Sequence, residues 1–242
     1  MGRVSEIVKH LIIINAIFFI AASVPQLTAL MYDLFSMHYP NNPDFILWQP
    51  ISHMFMHGSP THILFNMFGL WMFGTPLEQM WGKQKFIFFY ISAGLGAVLI
   101  QTLVYHFDVI SATNFLLERN VSEIEINKIL YEKNYIPDQD VVLDGAQSAR
   151  AKMVGASGAL YGILVAFAML FPNVQLMLLF PPIPIKAKIL VPILISIDLF
   201  SGFSAKFSMG PIAHFAHVGG ALTGFIMMWY WKKNQFNNKR WN

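Results

Sequence analysis

The sequence predicts an all-α membrane protein, a six-transmembrane-helix bundle with an extramembrane insertion between its third and fourth helices. Of the 242 residues, 55% are hydrophobic and only 12% are charged, whereas soluble domains carry about 25% charged residues. The apolar residues also fall into six runs of roughly the length that a bilayer core about 30 Å thick requires. These runs are 9–29, 60–80, 86–106, 155–171, 188–203 and 212–231. No repeat or low-complexity tract divides them, so we expect a single domain, 1–242.

The first run has two interpretations. Arg3 and Lys9 precede an apolar stretch that reaches residue 23. Cleaved secretory signal peptides share this pattern. The apolar pattern resumes after Pro25, and further membrane runs follow. This continuation favours a first membrane helix over a cleaved signal.

The basic residues predict the orientation of the bundle. If the N-terminus lies inside, ten of the sixteen basic residues fall on the inner side, where Lys and Arg accumulate in short loops. They are Arg3, Lys9, Lys83, Lys85, Lys186, Lys188, Lys232, Lys233, Lys239 and Arg240. We therefore expect both termini in the cytoplasm. Because this charge is spread over short loops and a tail, it requires no nucleic acid partner.

The segment 107–152 is the one large polar insertion. Ser122 is a candidate N-cap, and Ile124, Ile129 and Leu130 follow at near-helical spacing. We expect a short surface helix here, outside the membrane. The sequence assigns no role to the insertion.

Four polar side chains interrupt the apolar runs, and such groups are costly in a bilayer unless they have a function. They are His62 and Asn66 in the second run, Ser157 in the fourth and His217 in the sixth. At 1.5 Å of rise per residue, the predicted topology puts Asn66, His217 and Ser157 each about 9 Å below the outer face. This shared depth favours a serine hydrolase site.

The fourth run predicts both an anion site and close packing. If its helix begins near Ser157, unpaired N–H groups at the helix N-terminus face the serine. Gly158 and Gly162 in this run, and Gly220 and Gly224 in the sixth, have the spacing that lets membrane helices pack backbone to backbone. Such packing is needed to bring a serine within about 3 Å of an imidazole on another helix.

The second run supplies two hydrogen-bond donors. His62 and Asn66 are four residues apart and share one helix face. Side-chain donors beside a backbone N–H are the usual composition of an oxyanion hole.

Each of these residues also has a structural interpretation. A serine among glycines commonly mediates helix packing, and a buried histidine can be a hydrogen-bonding residue. Asp198 in the fifth run has no identifiable partner, and a structural hydrogen bond is favoured there over a role in orienting a base.

A metal site is a further alternative, since His53, His57 and His62 carry the commonest metal ligand. Their spacing lacks the H-E-x-x-H pattern with its glutamate base, and the chain has no cysteine. We therefore expect neither a metal nor a cofactor.

Three stretches of the chain resemble the rhomboid intramembrane serine proteases. They are HMFMHGSPTHILFNMFGLWMFG (53–74), GASGALYG (155–162) and AHVGGALTG (216–224). Each is short, but their order among six apolar runs makes the joint match specific. The resemblance implies that Ser157 is the nucleophile and His217 the general base and acid.

The resemblance also implies roles for five neighbouring positions. Asn66 and His62 match the oxyanion donors of the family, and Tyr161 matches the residue that stacks on the histidine. His57 matches an ordered histidine of the first outer loop, and Glu78 matches a structural acid near the inner end of the second helix.

Two positions depart from the family pattern. The family often has Trp-Arg where this chain has Trp48 and Gln49, which puts a loop-folding contact in question. The insertion 107–152 replaces a connection that is commonly short, which bears on substrate access.

The sequence thus predicts a protease that cuts membrane-anchored proteins near the outer face of a bacterial plasma membrane. Its partners would be transmembrane protein substrates and the lipid bilayer. A catalytically silent rhomboid-like protein that binds transmembrane clients is the main alternative, and the intact Ser157 and His217 argue against it. A six-span transporter is a weaker third option, because four donors without a carboxylate or cation site are poor grounds for transport.

Overall fold

The structure, a computed structural model, describes residues 3–132, 139–177, 183–203 and 213–234, and these are mostly helical. The helices are α1 (Glu6–Ala22), α2 (Pro25–Phe35), α3 (Gln49–Ser52), α4 (Pro60–Gly69), α5 (Thr75–Trp81), α6 (Lys83–Leu117), α7 (Glu123–Tyr131), α8 (Asp140–Arg150), α9 (Ser157–Leu170), α10 (Ala187–Phe203) and α11 (His214–Asn234). A 3₁₀ turn (His53–Phe55) follows α3, and a π-helical turn (Leu70–Gly74) joins α4 to α5. Residue 212, Lys239 and Arg240, which entered the predictions, lie outside the described residues.

Two short antiparallel ladders accompany the helices. β1 (Met37–His38) pairs with β2 (Lys152–Met153), and β3 (Gln175–Met177) pairs with β4 (Pro184–Lys186). The first ladder ties the chain after α2 to the extended segment that leads into α9.

Each of the six predicted runs contains helix, which agrees with the all-α expectation. Among the described helices, α6 alone is long and apolar enough to cross a membrane by length and composition, with a mean hydropathy of 2.0. α9 is apolar but has only 14 residues. The number of helices that cross a membrane therefore stays a prediction.

The first run is not one continuous helix, as its predicted bounds of 9–29 required. α1 ends at Ala22, and Val24 is extended (φ −77°, ψ 118°) before α2 begins at Pro25. Proline disfavours helical backbone at the residue before it and suits the first position of a new helix. Pro25 therefore divides the run.

Glu78 holds the start of α1 against α5. Its buried carboxylate accepts hydrogen bonds from the backbone N–H groups of Ile7 and Val8, both at 2.9 Å, and from the Ser5 hydroxyl. A carboxylate at a helix N-terminus accepts hydrogen bonds from the unpaired N–H groups there. It also interacts favourably with the positive end of the helix dipole. This is the structural part that the resemblance implied for Glu78.

The main core surrounds α6. The largest side chains that are fully buried there are Tyr90, Phe86 and Phe89, and they pack with the π-helical turn, α5 and α9. α6 contacts both α9 and α11, which also contact each other. Ser157 lies on α9 and His217 on α11, so this packing positions two of the four predicted site residues, and α4 carries the other two.

The insertion is more helical than the sequence predicted. α6 runs on to Leu117, beyond the predicted end at 106, and α7 follows with the Ser122 hydroxyl accepting from the Glu125 N–H at 3.3 Å. α8, which was not predicted, packs on the end of α6. Ile124 is 73% exposed, and the buried face of α7 consists of Ile126, Ile129 and Leu130.

These helices enclose a second cluster, which we name the insertion core. Its buried members are Tyr39, Val109, Ala112, Leu116, Ile126, Ile129, Leu130, Val142, Ala146 and Ala149.

Candidate active site

The structure brings Ser157 and His217 into contact. Ser157 is the first residue of α9, and His217 lies in the first turn of α11. The Ser157 Oγ and the His217 Nε2 are 2.8 Å apart, a normal hydrogen-bond distance. A nucleophilic hydroxyl and its base require this geometry.

A seam of four glycines lets α9 and α11 approach closely enough for that contact. We call Gly158, Gly162, Gly220 and Gly224 the glycine seam. A methyl group on Gly220 would collide with the carbonyl group of Gly158, and one on Gly224 would lie 2.6 Å from the Gly162 Cα. The two backbones therefore touch, as the spacing of the small residues predicted.

The imidazole of His217 is fixed on its other sides as well. The Tyr161 ring stacks on it with centroids 4.3 Å apart and planes 6° apart. Its Nδ1 lies 3.0 Å from the Asp198 Oδ1, which also receives the His214 Nδ1 at 2.7 Å. The Tyr161 hydroxyl donates to the other oxygen of Asp198.

The partners of Asp198 were not predicted from the sequence, and no role was predicted for His214. Two signals were present: an acid in an otherwise apolar run, and two histidines three residues apart on one face of the next helix.

His62 approaches Ser157 from α4. Gly155 has a φ of +122°, a conformation that side chains rarely adopt, and a methyl group there would lie 2.7 Å from the His62 Nε2. Glycine at this position thus lets the imidazole reach the backbone just before Ser157. The Gly58 N–H points at the His62 Nδ1 at 3.4 Å, which favours the tautomer that carries its proton on Nε2, the nitrogen that faces Gly155.

Asn66 and the start of α9 hold further free donors. Asn66 is buried one turn beyond His62, and its Nδ2 has no hydrogen-bond partner within the described part of the chain. The N-cap of α9 is Ala156, so no side chain at that position caps the first N–H groups. Buried donors without acceptors are costly, and an oxyanion would satisfy them.

The first outer loop, residues 36–59, supports this side of the site. The His53 carbonyl accepts from the Gly155 N–H at 2.9 Å, and the His57 ring lies edge-on to His62 with centroids 4.9 Å apart. Burial lowers the pKa of both His53 and His57 to about 4. Both imidazoles are therefore neutral at pH 7.

Gln49 makes several loop contacts at the position where the family often has arginine. Its fully buried amide donates to the carbonyl groups of Asp33 and Asp44 at 3.1 and 3.0 Å. Its Oε1 lies 3.3 Å from the His38 N–H and 3.2 Å from the His38 Nδ1. A neutral amide thus ties three parts of this region together.

Two groups of side chains are close enough to share a cation among the described residues. One is Asp198, His214 and His217, and the other is Asp33, His38 and Asp44. In the first group the hydrogen bonds already described account for each contact. His53, His57 and His62, considered above as metal ligands, do not form such a group.

The sequence matches a family of known proteins over most of its length. The family model described as the Rhomboid domain matches residues 44–116 and 134–234. The chain is similar to "Rhomboid protein 1, mitochondrial" of Saccharomyces cerevisiae, with 27% identity over 76% of this chain and 41% of the relative. It is also similar to "Presenilin-associated rhomboid-like protein, mitochondrial" of Rattus norvegicus, with 26% identity over 97% of this chain and 52% of the relative.

A bacterial protein matches a shorter part. "Rhomboid protease GlpG" of Haemophilus influenzae is 34% identical over 29% of this chain and 38% of its own length. The chain thus spans about half or less of each of these relatives. Since two of the three are mitochondrial, they give no support to a bacterial plasma membrane. The family model covers well over half of the sequence, and the chain therefore belongs to the rhomboid family of membrane proteins.

Proposed function

We propose that this protein is an intramembrane serine protease that hydrolyses peptide bonds of membrane-anchored proteins. The observation that carries the proposal is the 2.8 Å contact between the Ser157 Oγ and the His217 Nε2. A serine that only mediated helix packing would not need an imidazole in line with its hydroxyl, a ring stacked on that imidazole and free donors beside it.

The chemistry would follow from these positions. The Ser157 Oγ attacks the scissile carbonyl carbon and gives its proton to the His217 Nε2. The oxyanion accepts hydrogen bonds from the His62 Nε2–H, the Asn66 amide and the Ser157 N–H. His217 then passes the proton to the leaving amine as the C–N bond breaks, and a water molecule activated by His217 hydrolyses the acyl-enzyme.

The bundle and its orientation belong to the same proposal. We place six helices across the membrane as one domain, with the 107–152 insertion on the outer side and both termini in the cytoplasm, because basic residues concentrate on that side. The site then lies near the outer face, and a substrate helix must unwind to reach it. Substrates would therefore carry small or helix-weakening residues near their outer ends.

The decisive experiment removes each member of the pair. The purified chain in detergent would be incubated with a tagged single-span protein whose membrane helix contains Gly and Ser near its outer end. Ser157→Ala, His217→Ala and the double variant should all lose cleavage to a similar extent, because the pair acts as a unit. Ser196→Ala, an exposed serine in α10, is the control and should cleave normally.

A fluorophosphonate probe gives a readout that does not depend on the choice of substrate. It should label the wild type and fail to label Ser157→Ala. Labelling that is absent from the folded wild type, together with retained binding of the single-span protein, would instead favour a silent client-binding member of the family.

The oxyanion donors can be tested separately. His62→Ala and Asn66→Ala should each reduce turnover by about 10²–10³-fold with little change in KM. Some activity should remain because the backbone donor is unaffected. Wild-type rates in both variants would make these residues structural contacts only.

A further inference from the structure

Asp198 is a buried carboxylate in an apolar helix, with 6% of its surface exposed. Burial of a charge is costly unless hydrogen bonds compensate for it. Asp198 receives three donors, from the imidazoles of His217 and His214 and from the hydroxyl of Tyr161. All three come from α9 and α11, the helices that carry the serine and the base.

The contact with His217 selects one form of that ring. Because a carboxylate oxygen can only accept, the proton of the neutral imidazole must lie on Nδ1, 3.0 Å from the Asp198 Oδ1. The lone pair is then on Nε2, which faces the Ser157 Oγ at 2.8 Å. This is the tautomer that a general base needs, since the other one would present an N–H to the hydroxyl.

Asp198 also fixes the ring plane by a second route. Tyr161 stacks flat on His217, and its hydroxyl is anchored by the same carboxylate. Asp198 thus orients the imidazole of His217 in two ways. It binds the Nδ1 directly, and it anchors the tyrosine ring that stacks on the imidazole.

We propose that Asp198 is the positioning residue of His217 and completes a Ser157–His217–Asp198 line. The inference rests on the proposed protease function. During attack, the Ser157 proton moves to the His217 Nε2, and the ring becomes an imidazolium with protons on both nitrogens. The Asp198 carboxylate keeps its negative charge and stabilises that cation across the Nδ1–H bond; no proton moves to it. His214, three residues before His217 at the start of α11, holds the same carboxylate oxygen and fixes the position of the acid.

The test compares Asp198→Asn with two other variants. The amide is isosteric with the acid but neutral, and its NH₂ group can donate to Nδ1 and select the wrong tautomer. We expect kcat to fall by at least about 10²-fold with KM nearly unchanged, and by at most the loss of about 10⁴-fold that follows when the triad acid of a serine protease is neutralised. Asp198→Glu restores the charge and should recover at least tenfold over Asn. Ser201→Ala, another buried polar residue of α10, is the control and should stay within twofold of the wild type.

The rates must be expressed per active site. Fluorophosphonate titration counts the competent serines, so a variant that only folds less completely would show a normal kcat per titrated site. A normal value for Asp198→Asn would overturn the inference and leave the protease proposal standing. If the wild type itself shows no Ser157-dependent cleavage or labelling, the protease proposal fails instead.

Discussion

The glycine seam and the insertion core hold helices together in opposite ways. At the seam, α9 and α11 touch through backbone atoms, and the side chains there are reduced to hydrogen. In the insertion core, Ile126, Ile129 and Leu130 of α7 bury branched side chains. Lipid offers apolar side chains as good an environment as another helix does, so close van der Waals packing must drive association in a membrane. In water, the gain comes from the apolar area that is buried.

This difference predicts opposite sensitivities. The packing of the glycine seam should be disrupted by larger side chains. The packing of the insertion core should be destabilised by smaller ones. Gly145 of α8 qualifies the rule, because a methyl group there would collide with the Ala112 side chain and lie 3.0 Å from the Asp108 carbonyl oxygen. The contact between α8 and α6 therefore resembles the seam, although it lies in the insertion.

The largest expected effect is on activity when atoms are added to the seam. Gly220→Val would push α11 away from Gly158 and carry His217 with it. A shift of about 1 Å between the base and the nucleophile costs on the order of 10²-fold in rate. Cleavage and thermal unfolding would be compared with Ile226→Val on the exposed face of the same helix, which should be nearly silent. Equal activity in the two variants would show that the seam does not set the distance between Ser157 and His217.

The next effect is on stability when atoms are removed from the insertion core. Leu130 is 2% exposed, and Leu→Ala at such a site costs about 2–5 kcal/mol. Leu130→Ala should speed hydrogen exchange and proteolysis across α7 and α8 while kcat changes by less than twofold. Ile124→Ala, on the exposed face of α7, is the matched control. A loss of activity that parallels the loss of protection would mean that the insertion supports the site directly.

Acid should separate the first outer loop from the insertion core. The pKa values of His53 and His57 are lowered to about 4 by burial, against about 6.5 in an unfolded chain. Between these values the unfolded state binds more protons, so their contribution is complete above about pH 6.5 and is lost as the pH falls toward 4. At pH 5 each histidine would cost about 2 kcal/mol at most.

The readout for acid is hydrogen exchange at pH 7 and pH 5, corrected for the intrinsic rate. Peptides covering the first outer loop should lose protection at pH 5, whereas peptides from α7 should not, since α7 contains no histidine. Uniform loss of protection in both regions would show that the loop does not respond separately. His53→Asn should reduce the difference.

The sequence predicted what depends on local pattern and missed what depends on the approach of distant elements. The apolar runs, the start of α9 at Ser157 and the two glycine pairs could all be read from spacing. The partners of Asp198 could not, because they become neighbours only when α10 packs beside α9 and α11. α8 was missed because its buried face is made of Val142, Gly145, Ala146 and Ala149, and small residues give a weak apolar signal.

The smallest effect comes from a serine helix cap that occurs both beside the candidate active site and in the insertion. The Ser59 hydroxyl accepts from the His62 N–H at 3.1 Å at the start of α4, and the Ser122 hydroxyl accepts from the Glu125 N–H at 3.3 Å at the start of α7. Removing such a cap costs about 1 kcal/mol wherever it lies. Ser122→Ala should therefore loosen α7 by that amount and leave cleavage unchanged. Ser59→Ala should cost a similar amount locally but also reduce kcat severalfold, because the N–H that it frees belongs to His62. If both variants cleave at the wild-type rate while hydrogen exchange shows equal fraying of α4 and α7, the position of His62 does not depend on its helix cap.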